Sequence, residues 1–195
     1  MIAAAVLALG LQAAAPPPQQ LPDRPQFRGQ GQMAIFDMVC GRVFPDEARI
    51  ATAMARIPGT RPLTPDEVRT YLKDDPGRGW IMPAGSSQIV VTIEAPPIRS
   101  CAVRITNTDG VIDERKWQEL LTAAQARSGG GFVTLPPQTF EVGDIRSQAS
   151  GVQKQGAGGA AEAIYLIRST PKKPGYATEI RMVRQLVGDG RARSR

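Results

Sequence analysis

A chain of 195 residues with 42% hydrophobic side chains can build one domain with a real core, and it is too polar for a membrane-embedded protein. Histidine is absent, which excludes Ser-His-Asp and Cys-His catalysis, imidazole acid–base chemistry and most zinc sites. The formal charge of +6 is unevenly placed: residues 1–144 carry 14 basic and 15 acidic side chains, whereas residues 145–195 carry 10 and 3.

Met1 to Ala15 hold no charge, with an apolar run from Ile2 to Leu11 and small residues at Ala13, Ala14 and Ala15. The run is shorter than the roughly 20 residues of a membrane span, so residues 1–15 read as a secretory signal peptide, although no Lys or Arg precedes the apolar stretch. Export places the protein in the periplasm or outside the cell. Pro16 to Gln32, rich in Pro, Gln and Gly, reads as a disordered linker. A single α+β domain is expected over 33–187, followed by a basic tail over 188–195 that ends in Arg191, Arg193 and Arg195.

Within the domain, Ile35, Phe36, Val39 and Cys40 recur at helical spacing. A second helix is expected from Pro45 to Ile57, with Ile50, Met54 and Ile57 as its apolar stripe and Pro58-Gly59 as its stop. Thr64-Pro65-Asp66-Glu67 spells a capping box with proline at the first helical position. Leu63 and Val68 are placed as a hydrophobic staple, and Val68, Tyr71 and Leu72 as the buried stripe.

Strands follow at Trp80–Met82, Gln88–Ala95 and Ser100–Thr106, with Cys101, Val103 and Ile105 on one side of the pleat. Asp113 caps a long helix to Arg127, which Ser128-Gly129-Gly130-Gly131 terminates. The remainder reads as strands: Phe132–Leu135, Thr139–Val142, Ile145–Gln153, Glu162–Ser169 and Ala177–Val187. The expected fold class is α+β, an antiparallel sheet with helices packed on one face, in the order ααα-βββ-α-βββ with one optional further strand. An even cysteine count in an exported chain predicts one disulfide, Cys40–Cys101, tying the first helix to the core face of the sheet.

Few chemistries remain. Ser169-Thr170-Pro171-Lys172 matches S-x-x-K, but the prolines hold it in a turn and not on a helix. Gly156-Ala157-Gly158-Gly159 lies between strands and not before a helix N-terminus, so it does not cradle phosphate. No cofactor and no metal site is expected. Aromatic residues are only 5% of the chain, which makes nucleic acid a poor partner.

An apolar leader, an early helix ending in Cys40, Gly79-Trp80 before the first strand and Cys101 in a strand make the chain similar to small exported proteins of alpha-proteobacteria. The likeness covers about 60 residues, and that group has no assigned activity to transfer.

The leading expectation is an exported, non-enzymatic binding or interaction protein of unknown ligand. Its partner would be an anionic envelope component or another protein. Its anion-binding surface would be the basic C-terminal sheet edge of Arg168, Lys172, Lys173, Arg181 and Arg184. Two alternatives stand beside it: a hydrolase pairing two of Glu94, Glu141 and Glu162, and an inhibitor of an exported enzyme presenting an apolar patch or a rigid loop.

Overall fold

The computed structural model describes residues 25–85, 87–96, 98–106, 112–172 and 178–188. The expected signal segment, residues 16–24 of the expected linker, Lys173 and residues 189–195 of the basic tail lie outside them.

The first helix, α1, spans Pro25–Phe36 and continues into a wider π-type turn, Asp37–Gly41. The expected linker therefore does not extend over residues 25–32. Gln32 explains why: it is fully buried, and its side-chain amide donates to the carbonyls of Val103 at 3.1 Å and Ile180 at 2.8 Å. The buried anchor ahead of Met33 is a polar amide, so hydrophobic spacing gave no signal for it.

Helix α2 (Glu47–Ala55) is capped by Asp46, which accepts from the Arg49 amide, and it buries Ile50 and Met54. After a two-residue strand β1 (Arg61–Pro62), helix α3 (Pro65–Leu72) carries the capping box in full: Thr64 accepts from the Glu67 amide while the Glu67 carboxylate accepts from the Thr64 amide. Strands β2 (Gly77–Ala84), β3 (Ser87–Glu94) and β4 (Ile98–Thr106) come next. Helix α4 (Glu114–Arg127) is capped by Asp113 as expected. Strands β5 (Val133–Val142), β6 (Ile145–Gln155), β7 (Ala161–Pro171) and β8 (Glu179–Val187) complete the chain. The two short segments expected at 132–135 and 139–142 are one strand, β5, irregular between Leu135 and Gln138 where Pro136-Pro137 interrupt the ladder.

Among the described residues, eight strands form one antiparallel sheet in the order β1-β2-β3-β4-β8-β7-β6-β5. The last strand returns to the centre and joins two half-sheets, β1–β4 and β5–β8, each with its strands in chain order. One face of the sheet is apolar: Trp80, Val91, Ile93, Cys101, Val103, Ile180, Met182, Ile164 and Leu166 are buried with Phe36, Ile50 and Met54. Phe36 meets Trp117 of α4 with ring centroids 6.0 Å apart. The disulfide Cys40–Cys101, both halves fully buried, ties the π-type turn to β4 on this face.

Helix α3 departs from the expected single helical layer. Gly77 and Gly79 alternate with the core residue Trp80, so they face the other way. A Cβ at Gly79 would lie 2.6 Å from Leu63 Cδ1, and one at Gly77 would lie 2.5 Å from Leu72 Cδ1. The two glycines are the floor on which α3 sits, so this helix covers the β2–β3 end of the opposite face. The rest of that face, across β4, β8, β7 and β6, holds the candidate site.

Candidate anion-binding cleft

Strict alternation sorts the site. In β4, Cys101, Val103 and Ile105 point to the core, so Ala102 and Arg104 point to the open face. In β8, Ile180 and Met182 are buried in the core, so Arg181 and Val183 share the open face. Register then places Arg104 directly opposite Arg181. One row across the sheet reads Val90, Arg104, Arg181, Ile167, Ala149; the next reads Thr92, Ala102, Val183, Tyr165, Gly151. A Cβ at Gly151 would lie 2.9 Å from Tyr165 Cδ1, so glycine leaves room for that ring.

These rows line a cleft of about 530 Å³, closed on one side by Tyr71 and Leu72 of α3 and edged by Lys73, Asp75, Glu94 and Gln185. Arg104 is its deepest cation, 6% exposed. Its Nη1 donates to Thr92 Oγ1 at 2.6 Å, and its guanidinium lies over the Tyr71 ring, 5.4 Å from the centroid. Among the described residues it makes no ion pair. Burial first, and then the neighbouring Arg181 charge, push its pKa down to about 10. Burial likewise raises the Tyr71 hydroxyl. Arg181 is paired only loosely, 3.9 Å from Glu179, and its buried Nε has no hydrogen-bond acceptor among the described residues. The Glu94 carboxylate, by contrast, accepts from Ser100 at 2.7 Å.

Two juxtaposed arginines repel, and a buried guanidinium without a counter-ion is costly. An anion between them relieves both penalties, and a planar fork suits carboxylate or phosphate oxygens.

The surface expected from sequence does not assemble. Arg181 lies on the open face, whereas Arg168 and Arg184 alternate with Ile167 and Val183 and therefore belong to the helical face. Arg168 pairs with Glu114, and Lys172 pairs with Glu141 at 2.6 Å, not with Ser169. Ser169 instead shares a 2.9 Å hydrogen bond with Ser147.

Arg184 is fully committed. It donates to Glu162 at 2.8 Å, to the Cys40 carbonyl at 2.9 Å and to Ser128 Oγ at 3.0 Å, while Ser128 in turn donates to Glu162. That network braces the disulfide-bearing turn and leaves no donor for a ligand. A smaller groove of about 310 Å³ between α1 and α4 is likewise spoken for, since its Asp37 pairs with both Arg42 and Arg127.

Sequence reading missed Arg104. The signal was present: a charged residue alternating with Val103 and Ile105 in an apolar inner strand. Its pairing with Arg181 spans 77 residues and depends on β4–β8 register, which no local pattern encodes. Among the described residues, no group of three acidic or cysteine side chains is placed to hold a metal ion, and no helix is long and apolar enough to cross a membrane. No family model, no curated protein and no solved structure matches this chain.

Proposed function

We propose that this protein is an exported, non-enzymatic binding module whose interaction face is the open side of the sheet. Export is supported by the apolar, uncharged N-terminal stretch together with the buried disulfide, a bond that persists in oxidising compartments. One observation carries the binding reading: Arg104 is more than nine-tenths buried in a cleft, without a carboxylate partner among the described residues, opposite an arginine whose Nε is unsatisfied. The hydrolase alternative has no comparable support. Glu94 and Glu162 point to opposite faces of the sheet, and Glu141 sits in the β5–β6 hairpin bonded to Lys172, which lowers its pKa where a general acid needs it raised.

The test is a thermal-shift panel of anions on the disulfide-bonded protein and on Arg104→Met/Arg181→Met. The reading predicts that at least one anion raises the melting temperature of the wild type and not of the variant, and that added salt weakens the effect. A panel with no effect, or with equal effect on both proteins, contradicts it.

A second reading, an inhibitor of an exported enzyme, is favoured by the β5–β6 hairpin, which leaves Phe140, Val142 and Ile145 exposed together near its tip. Substituting all three by serine would abolish inhibition under that reading and leave anion binding in the cleft intact.

A further inference from the structure

The cleft's charge inventory and shape narrow the ligand. Its charged lining consists of three cations, Lys73, Arg104 and Arg181, and two carboxylates, Asp75 and Glu94. Glu179 stands beside Arg181 as well. Cations and carboxylates therefore balance over the cleft as a whole, and its positive potential is confined to one point, the Arg104–Arg181 pair. A polyanion or a phosphate dianion would be repelled by those carboxylates more strongly than a single negative charge centred on the pair. Beside the pair the cleft also offers apolar and aromatic groups, Tyr71 from α3 and Tyr165, Ile167 and Val183 from the sheet, with Ala102 and Ala149 leaving depth, although the lining as a whole is more polar than apolar. A volume of about 530 Å³ falls in the range of small-molecule sites, which combine an apolar lining with a few fixed polar groups.

Resting on the binding reading above, we propose that the cleft takes an organic monocarboxylate, its carboxylate held between Arg104 and Arg181 and its apolar body against Tyr71, Tyr165 and Ile167. Arg181, part-exposed and lining the cleft, brings its guanidinium to the same point. Arg104 is held in place by its bond to Thr92 and its stacking on Tyr71, so little side-chain entropy is lost when the anion binds. The same chemistry reaches the cleft from two sources, a free acid or the C-terminal carboxylate of a peptide.

Titration calorimetry on the disulfide-bonded chain separates these cases. The probes are phenylacetate and N-acetyl-phenylalanine as free acids, a pentapeptide ending in phenylalanine, the amides of all three, and inorganic phosphate. The proposal predicts that a free acid or the peptide acid binds, that its amide does not, and that Arg104→Met and Arg181→Met each weaken binding at least about tenfold, the scale of a lost charge-assisted hydrogen bond. Whichever acid binds more tightly identifies the source. Arg181 is part-exposed, so its variant keeps the test valid if Arg104→Met disturbs α3.

Three outcomes overturn the proposal: acids and amides binding alike, acid binding indifferent to both substitutions, or no acid binding at millimolar concentration. Phosphate binding lost in Arg104→Met while every acid is silent overturns the ligand class but leaves the open-face reading standing. Silence of every probe, phosphate included, counts against both.

Discussion

Arg104 is buried and Arg184 part-buried on neighbouring strands, and their surroundings give them opposite consequences. Arg184 is matched by Glu162 and by the carbonyls of Cys40 and Gly41. Arg184→Met would leave the Glu162 carboxylate buried with only Lys154, 3.6 Å away, as a cationic neighbour, and should cost about 3–5 kcal/mol. Arg104 has no ion-pair partner among the described residues, so Arg104→Met removes a desolvated charge and a like-charge neighbour while keeping the side chain's bulk. Its stability in chemical denaturation should equal or exceed that of the wild type within about 1 kcal/mol. Strong destabilisation of Arg104→Met would mean that the charge serves the fold and not a ligand. Glu67 makes a separate, pH-dependent statement. The Arg61 guanidinium, bonded at 2.7 and 2.8 Å, and then the Thr64 amide lower its pKa to about 2. A depressed carboxylate contributes stability that is full above its unfolded value near 4.5 and is lost as pH falls toward 2. Carbon-detected NMR should show Glu67 titrating near that lower value, and Glu67→Gln should flatten part of the acid limb of the stability profile.

Elements whose identity is local were legible in the sequence. The α3 cap is spelled by Thr64, Pro65 and Glu67, and the α4 cap by Asp113, because each motif satisfies its own first-turn amides without help from the fold. The hairpins β3–β4 and β7–β8 follow from alternation within each strand. Two things were not legible. The anchor of α1 ahead of Met33 is the Gln32 amide and not an apolar side chain, and the seating of α3 depends on Gly77 and Gly79, whose missing side chains read only as weak strand residues until Leu63 and Leu72 are seen above them. The disulfide joins what local rules cannot, the π-type turn and the central strand β4, across 61 residues. Cys40→Ala/Cys101→Ala should lower stability by about 4 kcal/mol through the freed unfolded chain and should retain the sheet by circular dichroism. A loss below about 1 kcal/mol would show that the Arg184 network alone fixes the turn.

At the scale of the whole molecule, the sheet divides labour between its faces. One face buries the core beneath α1, α2 and α4; the other is covered by α3 only at the β2–β3 end and presents the cleft beyond it. Three of the basic residues of the last quarter, Arg168, Lys172 and Arg184, which suggested a charged edge, are paired with Glu114, Glu141 and Glu162, and a count of charges along the chain did not locate the Arg104–Arg181 pair. That pair joins β4 to the last strand, β8, which is why composition and periodicity did not disclose it. Amide chemical-shift mapping during titration of the disulfide-bonded protein with phenylacetate tests this division of faces most directly. The account predicts shifts gathered on Ala102, Arg104, Tyr165, Arg181 and Val183, with Phe36 and Trp117 unmoved; shifts centred on the helical face, or spread without a centre, would contradict it.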